Sequence, residues 1–413
     1  MEQNPVVALF LALGVIIAAS RVSGSIARRL GQPRVLGELI VGVILGPTLL
    51  NLLHAPMFEG VELDASIKEL AELGVLLLMF IVGLEMNIGE LVKVGKVGVF
   101  AGFAGAIAPI VLAYPLVQLF NYDWQPALFA GVTMAATSVS ISAQVLLEIG
   151  HLRSKVGSAL LAASLIDDVL AILLVSLSVA VVGSTQAADT SAGSLVLIIL
   201  QMVVYLAAAF AVAWFIVPRV INWISDQPSI AQAYGVQATA LVILLLFGWS
   251  AQALGGVAPI TGAFIAGIGI GRAKERERHE VFESISSIAY TFLVPIFFVS
   301  VGLETDLSIF PLSALPLALL LLLVAVMSKI GGCGLGARLG GFNNWDSFRL
   351  GICMISRGEV GLIIAALGIG VGVFRAEDPL FASLFLVIIL STLITPLLVR
   401  QIFPRQPEGE AGL

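Results

Sequence analysis

The sequence is short of charge. Only 12% of its 413 residues are Asp, Glu, Lys or Arg, against 59% hydrophobic, whereas about a quarter of a soluble domain is charged. A string of soluble domains is therefore excluded, and an all-α polytopic membrane protein is indicated. Cysteine is scarcer still: Cys333 and Cys353 are the only two. Both lie in apolar segments, so neither a disulfide framework nor a zinc site is indicated, and both read as packing residues. The histidines are His54, His151 and His279, each expected in a loop without a cluster of metal ligands. A basic excess is missing as well. The net charge is −6 and no basic tail or Arg/aromatic interleaving occurs, which sets nucleic acid aside as a partner. The first apolar run, near residues 5–20, follows Met1-Glu2-Gln3-Asn4 with neither a positive n-region nor a clear small-residue cleavage site. It reads as an uncleaved first span.

Apolar runs fill the chain instead. A crossing needs about 20 apolar residues, and runs bounded by turn and charge signals lie at 4–21, 33–53, 68–86, 94–120, 126–148, 155–183, 193–223, 236–253, 256–272, 281–303, 312–337, 346–372 and 379–402. Thirteen such segments with short turns use the whole length. The loops sort the charges. Of 21 Lys and Arg, seventeen fall on one side, from Arg21, Arg28 and Arg29 to Arg400 and Arg405. Only Lys68 and Arg375 fall on the other, which carries Glu59, Glu62, Asp64, Asp123, Asp189, Glu304, Asp306, Glu377 and Asp378. Short cytoplasmic loops gather Lys and Arg. The N-terminus is therefore expected outside and the C-terminus in the cytoplasm, with the protein multi-pass in the membrane.

The chain also repeats itself. Gly37, Gly42 and Gly46 recur at identical spacing as Gly262, Gly267 and Gly271, and Val82-Gly83-Leu84-Glu85 recurs as Val301-Gly302-Leu303-Glu304. One reading is that glycine-rich spans resemble one another because they pack closely. The other is a true repeat of spans one to six (4–183) in spans eight to thirteen (236–402), with 193–223 as linker. A displacement of seven spans inverts the second copy in the membrane, as in many secondary transporters. Gly267-Ile-Gly-Ile-Gly271 is no nucleotide loop, since no strand precedes it.

Two Lys and Arg remain inside the spans, and an ionisable group at bilayer depth costs from about 2.5 kcal/mol upward, so each marks a functional candidate. The sixth span places Asp167 and Asp168 halfway along an apolar stretch. Neighbours on a helix project about 100° apart, so the two carboxylates face different environments and serve different roles. Ser164 lies four residues before Asp168 on the same face and offers the kind of neutral oxygen a hard cation takes. Lys329 in the eleventh span needs a carboxylate partner, for which Asp167 is the candidate. The twelfth span is interrupted by Ser356-Arg357-Gly358-Glu359, and the fifth carries Thr133, Thr137, Ser138, Ser140 and Ser142. Both read as broken helices, whose free carbonyls and dipoles need compensating charge. Arg357 and Glu359 either supply that compensation or form a structural ion pair. A carboxylate buried without a partner takes up a proton, which is the chemistry expected of Asp168. Glu38, Glu69 and Glu72 near span starts read as interfacial, and Glu85 and Glu304 as helix ends. The mixed-sign run from Arg272 to Glu280 reads either as headgroup contact or as a pH-sensing segment with His279.

Paired Asp in Ile166-Asp167-Asp168, the broken Ala136-Thr137-Ser138 span, Lys329 and Arg357-Gly358-Glu359 together resemble the bacterial electrogenic sodium/proton antiporters of the cation:proton antiporter superfamily, in their thirteen-span form. The likeness covers nearly the whole chain. It implies that Asp168 is the essential carboxylate for ion and proton, that Asp167 forms a breakable salt bridge with Lys329, and that Thr137, Ser138 and Ser164 are nearby oxygen donors. It further implies a core of spans four to six and eleven to thirteen, a panel of one to three and eight to ten, and a homodimer. No cofactor is implied. It likewise implies Na⁺ or Li⁺ and H⁺ as transported substrates, membrane lipids as the remaining partner, and a bacterial inner membrane as the location. Related potassium/proton exchangers often carry Gln-Asp and a large cytosolic nucleotide-binding domain, and this chain has neither. Asn before the Asp goes with electroneutral members, so Asp167 with Lys329 favours net charge movement.

The expected mechanism is competition of cation and proton for Asp168 with alternating access from the inverted repeats. A K⁺/H⁺ antiporter of the same superfamily is the alternative. An intramembrane aspartyl protease needs two Asp converging from different helices, whereas these are sequence neighbours. A cation channel needs a symmetric ring of charges or carbonyls, against which an Asp–Lys pair within one subunit speaks.

Overall fold

The computed structural model describes residues 4–58, 61–86, 93–183, 192–227, 234–304, 310–375 and 378–403. The helices in chain order are α1 (Pro5–Arg29), α2 (Arg34–Leu45), α3 (Asp64–Glu85), α4 (Gly95–Leu119), α5 (Trp124–Ala135), α6 (Val139–Glu148), α7 (Lys155–Gly183) and α8 (Ala192–Phe215). They continue as α9 (Val217–Ser225), α10 (Gly235–Ala253), α11 (Pro259–Ile270), α12 (Glu275–Ile288), α13 (Val294–Leu303), α14 (Leu315–Leu339), α15 (Asn344–Cys353), α16 (Glu359–Gly370) and α17 (Pro379–Ile402). No strand occurs among the described residues. Nine described helical stretches are long and apolar enough to cross a membrane. Some expected crossings are shorter or more charged: α2 and α11 have 12 residues each, and α3 carries Asp64, Lys68, Glu69, Glu72 and Glu85.

Several boundaries differ from the sequence reading, each for a local reason. The first helix runs on to Arg29 rather than stopping near 21, so Arg21 is a helical residue and not a loop charge. Its guanidinium donates to Tyr290 O at 2.7 Å and Thr291 O at 3.3 Å. Those carbonyls belong to a π-helical turn, Ala289–Leu293, where i→i+5 bonding departs from the α ladder. The seventh expected span divides between α8 and α9 because Pro218 occupies the first turn of α9 and supplies no N–H to the preceding helix. The tenth begins at Glu275, earlier than expected, and takes His279 out of its loop into α12. Glu275 and Glu277 in the first turn suit the helix dipole, and Arg276–Glu280 and His279–Glu283 form i,i+4 pairs at 2.9 and 3.2 Å. Glu38 is buried within the protein at 5% exposure, and its Oε1 accepts from Ser20 Oγ at 3.0 Å. Glu59, Asp189, Asp306, Glu377 and Arg405 lie outside the described residues.

The chain divides into two compact units. One gathers most of α1 and α2 with α3 and α8 to α13, and the other gathers α4 to α7 with α14 to α17. The second unit gathers the spans expected as core, and the first adds α8 and α9, the span expected as linker, to those expected as the panel. In the first unit the repeated glycines and the repeated Val-Gly-Leu-Glu segments meet crosswise. A Cβ on Gly42 of α2 would stand 3.0 Å from the Gly302 Cα of α13, and one on Gly267 of α11 would stand 3.1 Å from the Gly83 carbonyl carbon of α3. The recurrence in sequence thus corresponds to one contact made twice, at a separation only glycine permits. In the second unit α4 packs along α14. A buried cluster of Ala113, Phe129, Met134, Leu321, Ala325, Phe374 and Leu384 joins α4, α5, α14 and α17, with Phe129 and Phe374 edge to face at 6.1 Å.

Candidate functional site

The site lies in the second unit where two helices are interrupted. α5 ends at Ala135 and α6 begins at Val139, with Ala136 and Ser138 in extended conformation between them. Opposite, α15 ends at Cys353 and α16 starts at Glu359. The two interruptions cross and hydrogen-bond to each other. Ser138 N donates to Ser356 O at 2.9 Å, Ser356 Oγ donates to Ser138 O at 2.5 Å, and Ser142 Oγ donates to Cys353 O at 2.6 Å. Broken helices leave carbonyls without ladder partners, and in apolar surroundings each such group is costly. The serines that interrupt these hydrophobic segments supply the replacement donors.

Two cations serve the carbonyls left over. Lys329 of α14 donates to Ala135 O at 2.6 Å. Arg357 spreads its fork over three carbonyls: Met134 at 3.0 Å, Ile355 at 2.6 Å and Ala325 at 3.0 Å. Both side chains are fully buried. Each sits where the negative end of α5 needs a positive charge. Arg357 thus meets carbonyls, one of the two roles left open for it; the Glu359 side chain lies outside the described residues.

Lys329 also reaches Asp167 of α7, with Nζ 3.2 Å from Oδ1. This ion pair is 0% and 1% exposed, a setting where Coulomb attraction must offset a large desolvation cost and where breaking one partner strands the other. The second carboxylate oxygen, Asp167 Oδ2, is buried without a hydrogen-bond partner among the described residues. An ionised carboxylate has about four acceptor sites, so Oδ2 is chemically suited to a proton or a cation. Asp168, the next residue, is half-buried and projects about 100° away.

The expected oxygen donors are all buried, and their hydroxyls have local partners. Ser164 Oγ donates to Leu161 O at 2.9 Å, Thr137 Oγ1 lies 3.5 Å from Ala135 O, and Ser138 Oγ lies 3.0 Å from Ser140 Oγ. Donating its hydrogen leaves each hydroxyl with lone pairs to offer. Thr133 Oγ1, one turn ahead of the break, is buried without a partner among the described residues. Thr392 of α17 is not singled out by the sequence, yet its Oγ1 donates to the Arg357 carbonyl. The signal was there, in the hydroxyls of Ser391, Thr392 and Thr395 inside an apolar run, but nothing in it pointed at a broken helix. The two cysteines are free and buried.

Crossed broken helices around a buried Lys–Asp pair, within an all-helical apolar chain, define an ion-handling integral membrane protein. The model of the family described as sodium/hydrogen exchanger, transmembrane, matches residues 11–403, and the chain belongs to that family. It is 34% identical over 394 residues to the Na(+)/H(+)-K(+) antiporter GerN of Bacillus cereus, covering 95% of this chain and 96% of that one. It is 35% identical over 388 residues to a Na(+)/H(+) antiporter of Enterococcus hirae, covering 94% and 96%. The fold matches that of the sodium proton antiporter MjNhaP1 from Methanocaldococcus jannaschii with TM-score 0.65 at 19% identity, over 96% of this chain and 97% of that one.

Proposed function

We propose that the protein is a secondary transporter, not an enzyme, that exchanges Na⁺ or Li⁺ for H⁺ across a bacterial inner membrane. The observation that carries this reading is the fully buried Lys329–Asp167 pair, with one carboxylate oxygen unpartnered among the described residues and with Asp168 next in the chain. Asp168 binds a cation or a proton, and competition between the two enforces exchange. Thr137, Ser138 and Ser164 supply neutral oxygens to the cation. Asp167 alternates between Lys329 and the bound ion, so that a second proton moves in the cycle and net charge crosses the membrane. Lys329, Arg357 and Glu359 balance the charge of the broken helices throughout.

The repeats 4–183 and 236–402, inverted about the membrane plane and joined by 193–223, supply alternating access. The crosswise Gly42–Gly302 and Gly267–Gly83 contacts support that symmetry. The charge bias of the loops supports an outside N-terminus and a cytoplasmic C-terminus, and the family resemblance supports a homodimer in the lipid bilayer. The printed name of the B. cereus relative includes potassium, which favours K⁺ as a second cation for the same site.

The test is proton flux in proteoliposomes with Na⁺, Li⁺ and K⁺ offered in turn under imposed voltage. Saturable cation-driven flux is expected from the wild type and none from Asp168→Asn. Exchange that persists in Asp168→Asn removes its assigned role, and an ohmic current in place of saturable flux makes the protein a channel.

A further inference from the structure

The last helix, α17, buries Ser391, Thr392 and Thr395. Ser391 Oγ donates to Ile388 O at 2.9 Å and Thr395 Oγ1 to Ser391 O at 2.7 Å, both within their own helix. Thr392 differs. Its Oγ1 lies 2.9 Å from Ile388 O and also meets the carbonyl of Arg357 across the crossing. A hydroxyl has one hydrogen to give. Ile388 O sits in a helix, where the i→i−4 ladder brings it a backbone N–H, and it already receives Ser391 Oγ. Arg357 lies between α15 and α16, outside both ladders. A buried acceptor left bare costs more than one short of an extra donor, so the hydrogen belongs to the Arg357 carbonyl.

That bond is placed to matter for ion binding. The residue before Arg357 is Ser356, which exchanges two hydrogen bonds with the main chain of Ser138, at 2.9 and 2.5 Å. A shift of Arg357 is therefore delivered to Ser138, one of the oxygens assigned above to the cation. Thr392 also lies thirteen positions after Pro379, the first residue of α17, just as Asp168 lies thirteen positions after Lys155, the first residue of α7. The last helix of each half carries a polar group at the same distance from its first residue: a carboxylate in one and a neutral hydroxyl bonded to the crossing in the other.

We propose that Thr392 is a positioning residue for cation binding, whose hydroxyl fixes the Arg357 main chain and, through Ser356, holds Ser138 where the ion needs it. The proposal rests on the reading of this crossing as a Na⁺ site. The experiment is Na⁺-driven proton flux of the full-length protein in proteoliposomes, comparing wild type, Thr392→Val, Thr392→Ser and Thr395→Val. Thr392→Val keeps the shape and removes the hydroxyl; the apparent KM for Na⁺ is expected to rise about fivefold to tenfold, the scale of one buried hydrogen bond, with kcat within about twofold. Thr392→Ser restores the wild-type KM. Thr395→Val, which loses a buried hydroxyl that stays within α17, leaves KM unchanged. An unchanged KM in Thr392→Val, an equal rise in Thr395→Val, or failure of Thr392→Ser to restore KM overturns the assignment. So does loss of Thr392→Val from the membrane while Thr392→Ser and Thr395→Val assemble, which makes the role one of folding alone. Wild-type flux indifferent to Na⁺ overturns the functional reading itself, whereas Na⁺-dependent wild-type flux with an unaltered Thr392→Val overturns only the part given to Thr392.

Discussion

Both units bring helices together at glycine, Gly336 of α14 against Phe100 O of α4 being an example in the second, but they differ in how they bury charge. In the first, helices approach through glycine, with Gly42 against Gly302 and Gly267 against Gly83. Its buried carboxylates Glu38 and Glu277 each accept from a serine, Ser20 Oγ at 3.0 Å and Ser225 Oγ at 2.6 Å, and Arg21 serves a π-turn. The second unit breaks two helices and closes the breaks with Lys329, Arg357 and four hydroxyl-bearing residues. Glycine contact favours rigid helix packing, whereas a charged crossing offers groups that can change partner. Chemistry is therefore expected in the second unit and mechanical support in the first.

The largest expected effect is Asp168→Asn, which abolishes cation-driven proton flux while the protein still assembles; an equally inactive Glu38→Gln would erase the contrast between the units. Next comes Lys329→Ala. It strands Asp167 in a buried site and is expected to cost about 3–5 kcal/mol of stability, read as a lowered thermal midpoint in detergent. Replacing both partners, as in Lys329→Met with Asp167→Leu, is expected to recover much of that loss, though not transport. Gly42→Val and Gly267→Val should each destabilise by about 1–3 kcal/mol through overpacking, and by similar amounts if the two contacts are equivalent. Unequal losses would blunt the symmetry argument.

The smallest effect is expected at Tyr122, outside the spans, which donates to Asp378 Oδ1 at 2.9 Å. Asp378 caps α17 through Leu380 N at 2.9 Å. Burial first, then the bond and charge of Asp378, push the Tyr122 hydroxyl up to about 12. Its ordinary value is about 10, so the folded state favours the protonated phenol. The contribution is complete below pH about 10 and is lost only as pH rises through the folded value. Tyr122→Phe should therefore cost about 1 kcal/mol, equally at pH 6 and pH 9. A loss that changes between those two pH values breaks this assignment.

Much of the site was legible because an apolar chain makes every internal charge conspicuous. Asp167, Asp168, Lys329 and Arg357 stand out for that reason alone, and serines in mid-span marked both breaks. Less legible were residues whose role depends on what they meet. Thr392 looks like any helix hydroxyl that bonds back to its own ladder. Nothing near Glu38 in the chain points to Ser20, eighteen residues earlier, as its partner, and His279 looks like a loop residue until i,i+4 pairs extend its helix.

By itself the sequence determined that the chain is a bundle of apolar helices, because too few charged residues exist to coat soluble domains, and it determined which charges must be buried. Only the tertiary structure decided their partners. Lys329 is shared between Asp167 and Ala135 O, Arg357 is divided among three carbonyls, and Asp167 keeps one oxygen unpartnered among the described residues. Composition and periodicity fix what must be compensated, but hydrogen bonds act over about 3 Å, and which groups come that close is settled by how the broken helices cross.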